Sequence, residues 1–222
     1  MGYVIPTNYE LEFEPLFNNF TFNAIEVITV NLQRSADLII LDAAELKIKN
    51  CHVIQGTKII TAKPSLNEKD EKLTIKLAKK IKGKAKLCIE FTGILNDRLL
   101  GFYKSQYKDN RGKTKYLATT QFEAADARRA FPCWDEPAVK ATFDISLLVD
   151  KHLDAISNMP ITSKKTVGSK ILYKFGRTPI MSTYLLYLGV GEFEYLHGKL
   201  RNIKIRIAVS YTHLTLPTTP YV

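Results

Sequence analysis

Phe20-Thr-Phe-Asn-Ala-Ile-Glu-Val-Ile-Thr-Val-Asn-Leu32 decides the fold. Apolar and polar side chains alternate along it with period two, which sends one set to each face of an extended chain. Ile, Val and Thr dominate, and these β-branched residues suit a pleated, half-buried surface. The stretch reads as a long strand with one face in a core.

The same alternation recurs on the N-terminal side in Tyr9-Glu-Leu-Glu-Phe-Glu-Pro15. Shorter strand candidates follow at 38–41, 58–62, 72–77, 86–91, 142–149, 154–157, 171–175, 183–190 and 203–208. Turn chemistry separates them at Asn18-Asn19, Lys63-Pro64-Ser65, Asp109-Asn-Arg-Gly112 and Val167-Gly-Ser169. Helical signal is confined to a turn or two over 124–130, stopped by Pro132. No internal repeat or interdomain linker interrupts the series. The prediction is an all-β chain, either a sandwich or a large, mostly antiparallel multi-sheet assembly.

The 222 residues, 45% of them hydrophobic, suffice for one domain with a substantial core and argue against disorder. The net charge of +10 raises a nucleic-acid or membrane-surface reading. Its densest source, Lys79-Lys-Ile-Lys-Gly-Lys-Ala-Lys86, lacks the interleaved aromatics that stack on single strands. It reads instead as a strand and turn with one wet face, where lysines also discourage edge-to-edge sheet pairing. Nucleic acid and membrane are therefore not expected partners. Cys51, Cys88 and Cys133 are odd in number, widely spaced and without a C-x-x-C pair, which fits a reducing compartment better than a disulfide framework. The N-terminus shows no signal-peptide pattern, and no 18-residue apolar stretch occurs. A cytoplasmic location is the expectation.

One segment differs in kind: Tyr116-Leu-Ala-Thr-Thr-Gln-Phe-Glu-Ala-Ala-Asp-Ala-Arg-Arg-Ala-Phe-Pro-Cys-Trp-Asp-Glu-Pro137. Charges of both signs sit among large aromatics, a composition suited to a partly buried ion-pair network of arginines and carboxylates. A strand-to-loop corner held by such pairs, with no chemistry, accounts for most of it. Glu123 is the residue that this plain reading explains least. It follows Gln121 by two residues on an expected strand end, so both side chains point to one face. A carboxylate there can hold an ammonium, and a neighbouring amide can orient a polar group. Spacing alone does not name the ligand.

The wording T-Q-F-E-A-x-D-A-R-R-A-F-P-C-W-D-E-P resembles the N-terminal-domain signature of the zinc-dependent aminopeptidase N family, the gluzincin metallo-aminopeptidases. Gly101-Phe-Tyr-Lys-Ser105, Ser157-Asn-Met-Pro-Ile161 and Met181-Ser-Thr-Tyr-Leu-Leu-Tyr-Leu-Gly-Val-Gly-Glu-Phe-Glu194 resemble further family stretches in the same order. The resemblance implies a saddle-like β domain leaning on a thermolysin-like catalytic domain. It implies that Glu123 binds the α-amine of a peptide substrate and that Gln121 lines the pocket for the first side chain. It also implies that the Glu123–Ala124 peptide can be cis. Asp126, Arg128, Arg129, Asp135 and Glu136 read as structural support for the loop that presents Glu123. Phe131 and Trp134 read as packing, and Cys133 as a small buried hydrophobe rather than a nucleophile.

Family catalysis needs H-E-x-x-H and a further Glu for zinc, and a G-A-M-E-N-like strand. Neither motif occurs here, and no two of His52, His152, His197 and His213 are four residues apart. The resemblance therefore implies zinc in a longer parent, no metal ligand and no catalytic residue in this chain, and an inactive fragment when alone. The implied partners are peptide N-termini and the catalytic domain of the same polypeptide. A non-catalytic peptide-binding or adaptor module is the alternative. Residues 1–208 form the expected domain. The tail from 209 to 222, rich in Thr and Pro, matches no strand pattern and is expected to be a truncated junction or adapter-derived wording.

Overall fold

The computed structural model describes residues 3–210; most of the expected tail, 211–222, lies outside the described residues. The chain opens with five strands, β1 (Val4–Leu16), β2 (Thr21–Asp42), β3 (Lys47–Gln55), β4 (Lys58–Asn67) and β5 (Lys72–Ile94). Next come β6 (Gly101–Lys108) and β7 (Thr114–Gln121), then one 3-10 turn at Ala127–Arg129. Five more strands follow: β8 (Lys140–Asp150), β9 (Asp154–Ser157), β10 (Ile161–Val167), β11 (Lys170–Phe175) and β12 (Met181–Ser182). A second 3-10 turn at Thr183–Leu185 precedes β13 (Leu188–Gly191), β14 (Phe193–Leu200) and β15 (Ile203–Ser210). Helix among the described residues is limited to those two single turns, as an all-β reading requires.

A nine-stranded sheet runs β10-β11-β8-β1-β2-β5-β3-β4, with β12 also on β8. All its ladders are antiparallel except β1 on β8. A four-stranded sheet, β6-β7-β13-β9, and the β14-β15 ribbon complete the fold.

The deciding stretch falls inside β2, which is longer than its alternation alone suggests. The expected strands 20–32 and 38–41 are one 22-residue strand, and 72–77 and 86–91 lie within the 23-residue β5. Register shifts between Leu32, Ala36 and Leu38 break the period without breaking the ladder. The lysine run is therefore mid-strand rather than strand and turn. Ile81 and Ala85 point inward while Lys79, Lys80, Lys82, Lys84 and Lys86 are exposed. Strands such as β3, β10 and β14 escape the alternation rule. β3 carries five polar residues, none of them buried, and β10 is a sheet edge exposed along most of its length. The expected strand 183–190 is instead a 3-10 turn followed by β13, because Leu186 N–H closes back on the Thr183 carbonyl. β15 reaches Ser210, two residues past the expected domain end.

The core is aromatic. Tyr9 stacks on Phe143 with centroids 5.0 Å apart, and Phe131 meets Tyr9, Phe13, Phe122 and Phe143 edge-on. Such pairs add to the area these rings bury. Phe131 ties the unusual segment to the large sheet.

One core position breaks the pattern. Glu26, on the inward face of β2, is fully buried, and neither carboxylate oxygen has a hydrogen-bond partner. Burial pushes its carboxyl well above the ordinary range. The folded chain holds it neutral while the unfolded chain ionises it at about 4.3, so folding takes up a proton above that pH. Stability contributed below that pH is lost as pH rises toward the raised folded value. Glu26→Met is expected to stabilise the fold at pH 7 by about 1–3 kcal/mol and to flatten the stability–pH curve above pH 4. Urea midpoints across pH measure both effects.

Candidate functional site

The segment after β7 turns the end of an inner strand of the four-stranded sheet into a fixed mount. β7 ends at Gln121, and Glu123 lies in the turn beyond it. The alternation nevertheless continues past the strand: Gln121 and Glu123 are exposed, and Phe122 between them is buried. The Gln121 amide donates to the Glu123 carbonyl at 3.4 Å. The Glu123–Ala124 peptide is cis. Asp126 N–H donates to the Phe122 carbonyl at 2.9 Å, closing the turn, and Arg129 N–H donates to the Asp126 carbonyl at 3.2 Å.

Behind this turn the two arginines are fully engaged. Arg128 Nε donates to Asp135 Oδ2 at 3.2 Å, and its Nη1 lies 3.2 Å from Glu71 Oε2 and 3.7 Å from Asp42 Oδ1. Arg129 reaches Asp126 Oδ1 at 2.9 Å, Glu45 Oε1 at 2.6 Å and Glu71 Oε1 at 2.8 Å. Asp135 is buried, and also accepts from the Arg128 backbone N–H at 3.2 Å and from Thr183 Oγ1 at 2.9 Å. Asp42 accepts from the Asp135 N–H at 3.0 Å and pairs with Lys72. Burial works against the Arg128 charge, but the Asp135 hydrogen bond and the Asp42 carboxylate outweigh it and raise its pKa. The same balance, with Asp126 as the main partner, raises that of Arg129.

The backbone is fixed as tightly. Asp42 and Cys133 exchange N–H···O bonds of 2.7 and 3.0 Å, and Ala44 N–H donates to the Arg128 carbonyl at 3.0 Å. Gly101 faces the mount from β6 with φ 67°, and a Cβ there would lie 2.8 Å from Arg129 Cβ. Only glycine combines that conformation with that approach. Cys133 is fully buried, and its thiol is pushed well up by burial first and by Asp135 second, so it is a poor nucleophile.

The structure thus brings Asp126, Arg128, Arg129 and Asp135 into one network. Glu136 stands apart, exposed and in no ion pair of that network; its carbonyl accepts from Val139 N–H at 2.9 Å. Asp42, Glu45 and Glu71 belong to the network and were not legible in the segment. They arrive from the end of β2 and the loops before β3 and β5, and only pairing of those elements could have revealed them. Glu123 carries no side-chain hydrogen bond or ion pair among the described residues, although two arginines lie within six positions of it.

No group of three or more His, Cys, Asp or Glu is arranged to hold a metal among the described residues. No helix among them is long and apolar enough to cross a membrane.

Comparison with known proteins agrees with this architecture. The chain is 39% identical over 208 residues to the puromycin-sensitive aminopeptidase of Caenorhabditis elegans, covering 91% of this chain and 22% of that protein. It is 40% identical over 212 residues to aminopeptidase M1 of Arabidopsis thaliana, covering 92% and 24%. It is 40% identical over 214 residues to aminopeptidase 2 of Candida albicans, covering 92% and 22%. The chain therefore spans under a quarter of the length of these relatives. Residues 5–185 match the peptidase M1 N-terminal domain, and with the mount described above they establish that the chain belongs to that family.

Proposed function

We propose that this chain is the substrate-anchoring β domain of a zinc aminopeptidase that removes N-terminal residues from peptides. Glu123 binds the α-ammonium of the substrate, and Gln121 orients its first side chain. The observation that carries this reading is the free Glu123 carboxylate. It projects from a turn fixed by Phe122, Phe131 and the arginine network, while nearby Asp126 and Asp135 are committed to arginine. A carboxylate on a fixed turn, with no hydrogen-bond or ion-pair partner among the described residues, is a ready acceptor for an ammonium, and an internal peptide segment offers none. That difference accounts for action at chain ends.

The residues described here supply no zinc site, so zinc and the hydrolytic water would be held by the catalytic domain of the longer polypeptide. The domain through β15 would lean on that catalytic domain. The three free thiols support a reducing, cytoplasmic setting. In the complete polypeptide that carries this domain, peptides with a free N-terminus are expected to be cleaved at least about a hundredfold faster than their N-acetylated forms. Equal rates, or cleavage at internal bonds, would overturn the reading.

A further inference from the structure

Beside Gln121 the four-stranded sheet presents a small flat area. Gly101 and Tyr103 of β6 pair with Gln121 and Thr119 of β7, and Gly189 of β13 pairs with Thr119 on the other side. The Leu188 N–H donates to Thr120 Oγ1 at 3.0 Å, and continuing that register sets Tyr187 across from Gln121. The Tyr187 ring then folds back over Gly189. A Cβ on Gly189 would lie 2.8 Å from the Tyr187 hydroxyl and 3.1 Å from Cε1, so only glycine leaves room for the ring. The hydroxyl meets Thr119 Oγ1 at 3.2 Å.

The backbone beneath the ring is pinned. Tyr187 N–H donates to Asn158 Oδ1 at 2.8 Å, and Ser157 Oγ donates to the Tyr187 carbonyl at 2.8 Å. Yet Tyr187 stays 38% exposed. An aromatic ring held against Gly189 and Thr119 and still partly exposed is placed to stack on a ligand rather than to fill the core.

Resting on the reading of Glu123 above, we propose that Tyr187, with Tyr103 and Thr119, forms a stacking shelf beside Gln121. The shelf receives the side chain of the bound N-terminal residue and favours a flat aromatic one. Tyr187 is then a specificity-determining residue, and Gly189 is the residue that leaves room for its ring.

The test titrates the 222-residue chain, whose buried apolar residues form one core cluster among the described residues, with phenylalaninamide and with alaninamide, followed by backbone amide NMR shifts. Phenylalaninamide is expected to bind about tenfold more tightly than alaninamide. Tyr187→Ala and Gly189→Ala should each remove most of that preference, leave alaninamide binding unchanged and preserve the spectrum elsewhere. Tyr187→Phe should retain it. A preference that survives both Tyr187→Ala and Gly189→Ala overturns the shelf. Should Glu123→Gln abolish binding of both amides while the Tyr187 variants change nothing, the shelf falls and the anchoring reading stands. Should neither amide bind, or Glu123→Gln leave both titrations unaltered, the anchoring reading and the shelf fall together.

Discussion

Glu123→Gln, introduced into the complete polypeptide, is expected to lower kcat/KM for free-amine peptides by about a hundredfold. The substitution preserves shape and leaves a hydrogen-bond acceptor, so what it removes is the charge. A charge-assisted bond is roughly twice as strong as a neutral one, and an ammonium left without its counter-charge in a closed cleft costs about 2–5 kcal/mol. Activity on N-acetylated peptides should not change, since that ligand never used the charge. Fold stability should move by less than about 0.5 kcal/mol, because Glu123 is exposed and bonded to no side chain. Loss of activity with stability intact separates anchoring from scaffolding.

Asp135→Ala should do the reverse. Its side chain is 1% exposed and accepts from Arg128 Nε, the Arg128 N–H and Thr183 Oγ1. Removing it leaves the Arg128 N–H and the Thr183 hydroxyl without their acceptor and takes from the largely buried Arg128 guanidinium its most buried carboxylate partner. Breaking a buried pair by deleting one partner costs about 3–5 kcal/mol. The urea midpoint should fall accordingly with the m-value unchanged. Asp135→Asn keeps the acceptor oxygen and should cost less. The turn carrying Glu123 hangs on Arg128 and Arg129, so Asp135→Ala should also broaden the amide signals of residues 121–126.

The two expectations divide the segment in a way its spelling did not. Its charges and aromatics pointed to a fixed ion-pair corner, and Asp126, Arg128, Arg129 and Asp135 form one. The acceptors Asp42, Glu45 and Glu71 were illegible because they lie 57 or more residues before the arginines they meet, brought in by β2 and the loops before β3 and β5. Glu136, in the same segment, is exposed and outside the network. Local spelling lists charges but does not say which strands deliver their partners.

The strands tell the same story. Period two exposed β1 and the first half of β2, where one face is buried throughout. It failed at β3 and β10, whose outward sides are polar and whose membership rests on hydrogen bonds to β5 and β11. It over-reached at Thr183–Leu185, an apolar stretch that tertiary context bends into a 3-10 turn through Asp135. The Tyr187–Gly189 contact was equally hidden, since it needs a ring from one residue to fold over another two positions along the strand.

The central claim is that the Glu123 carboxylate holds an α-ammonium. The most direct measurement is an NMR titration of the wild-type chain and of Glu123→Gln with leucinamide and N-acetyl-leucinamide. The account predicts that leucinamide moves the amide signals of residues 121–124 in the wild type alone, and that the acetylated ligand moves them in neither protein. Equal shifts from both ligands, or shifts that persist in Glu123→Gln, would contradict it.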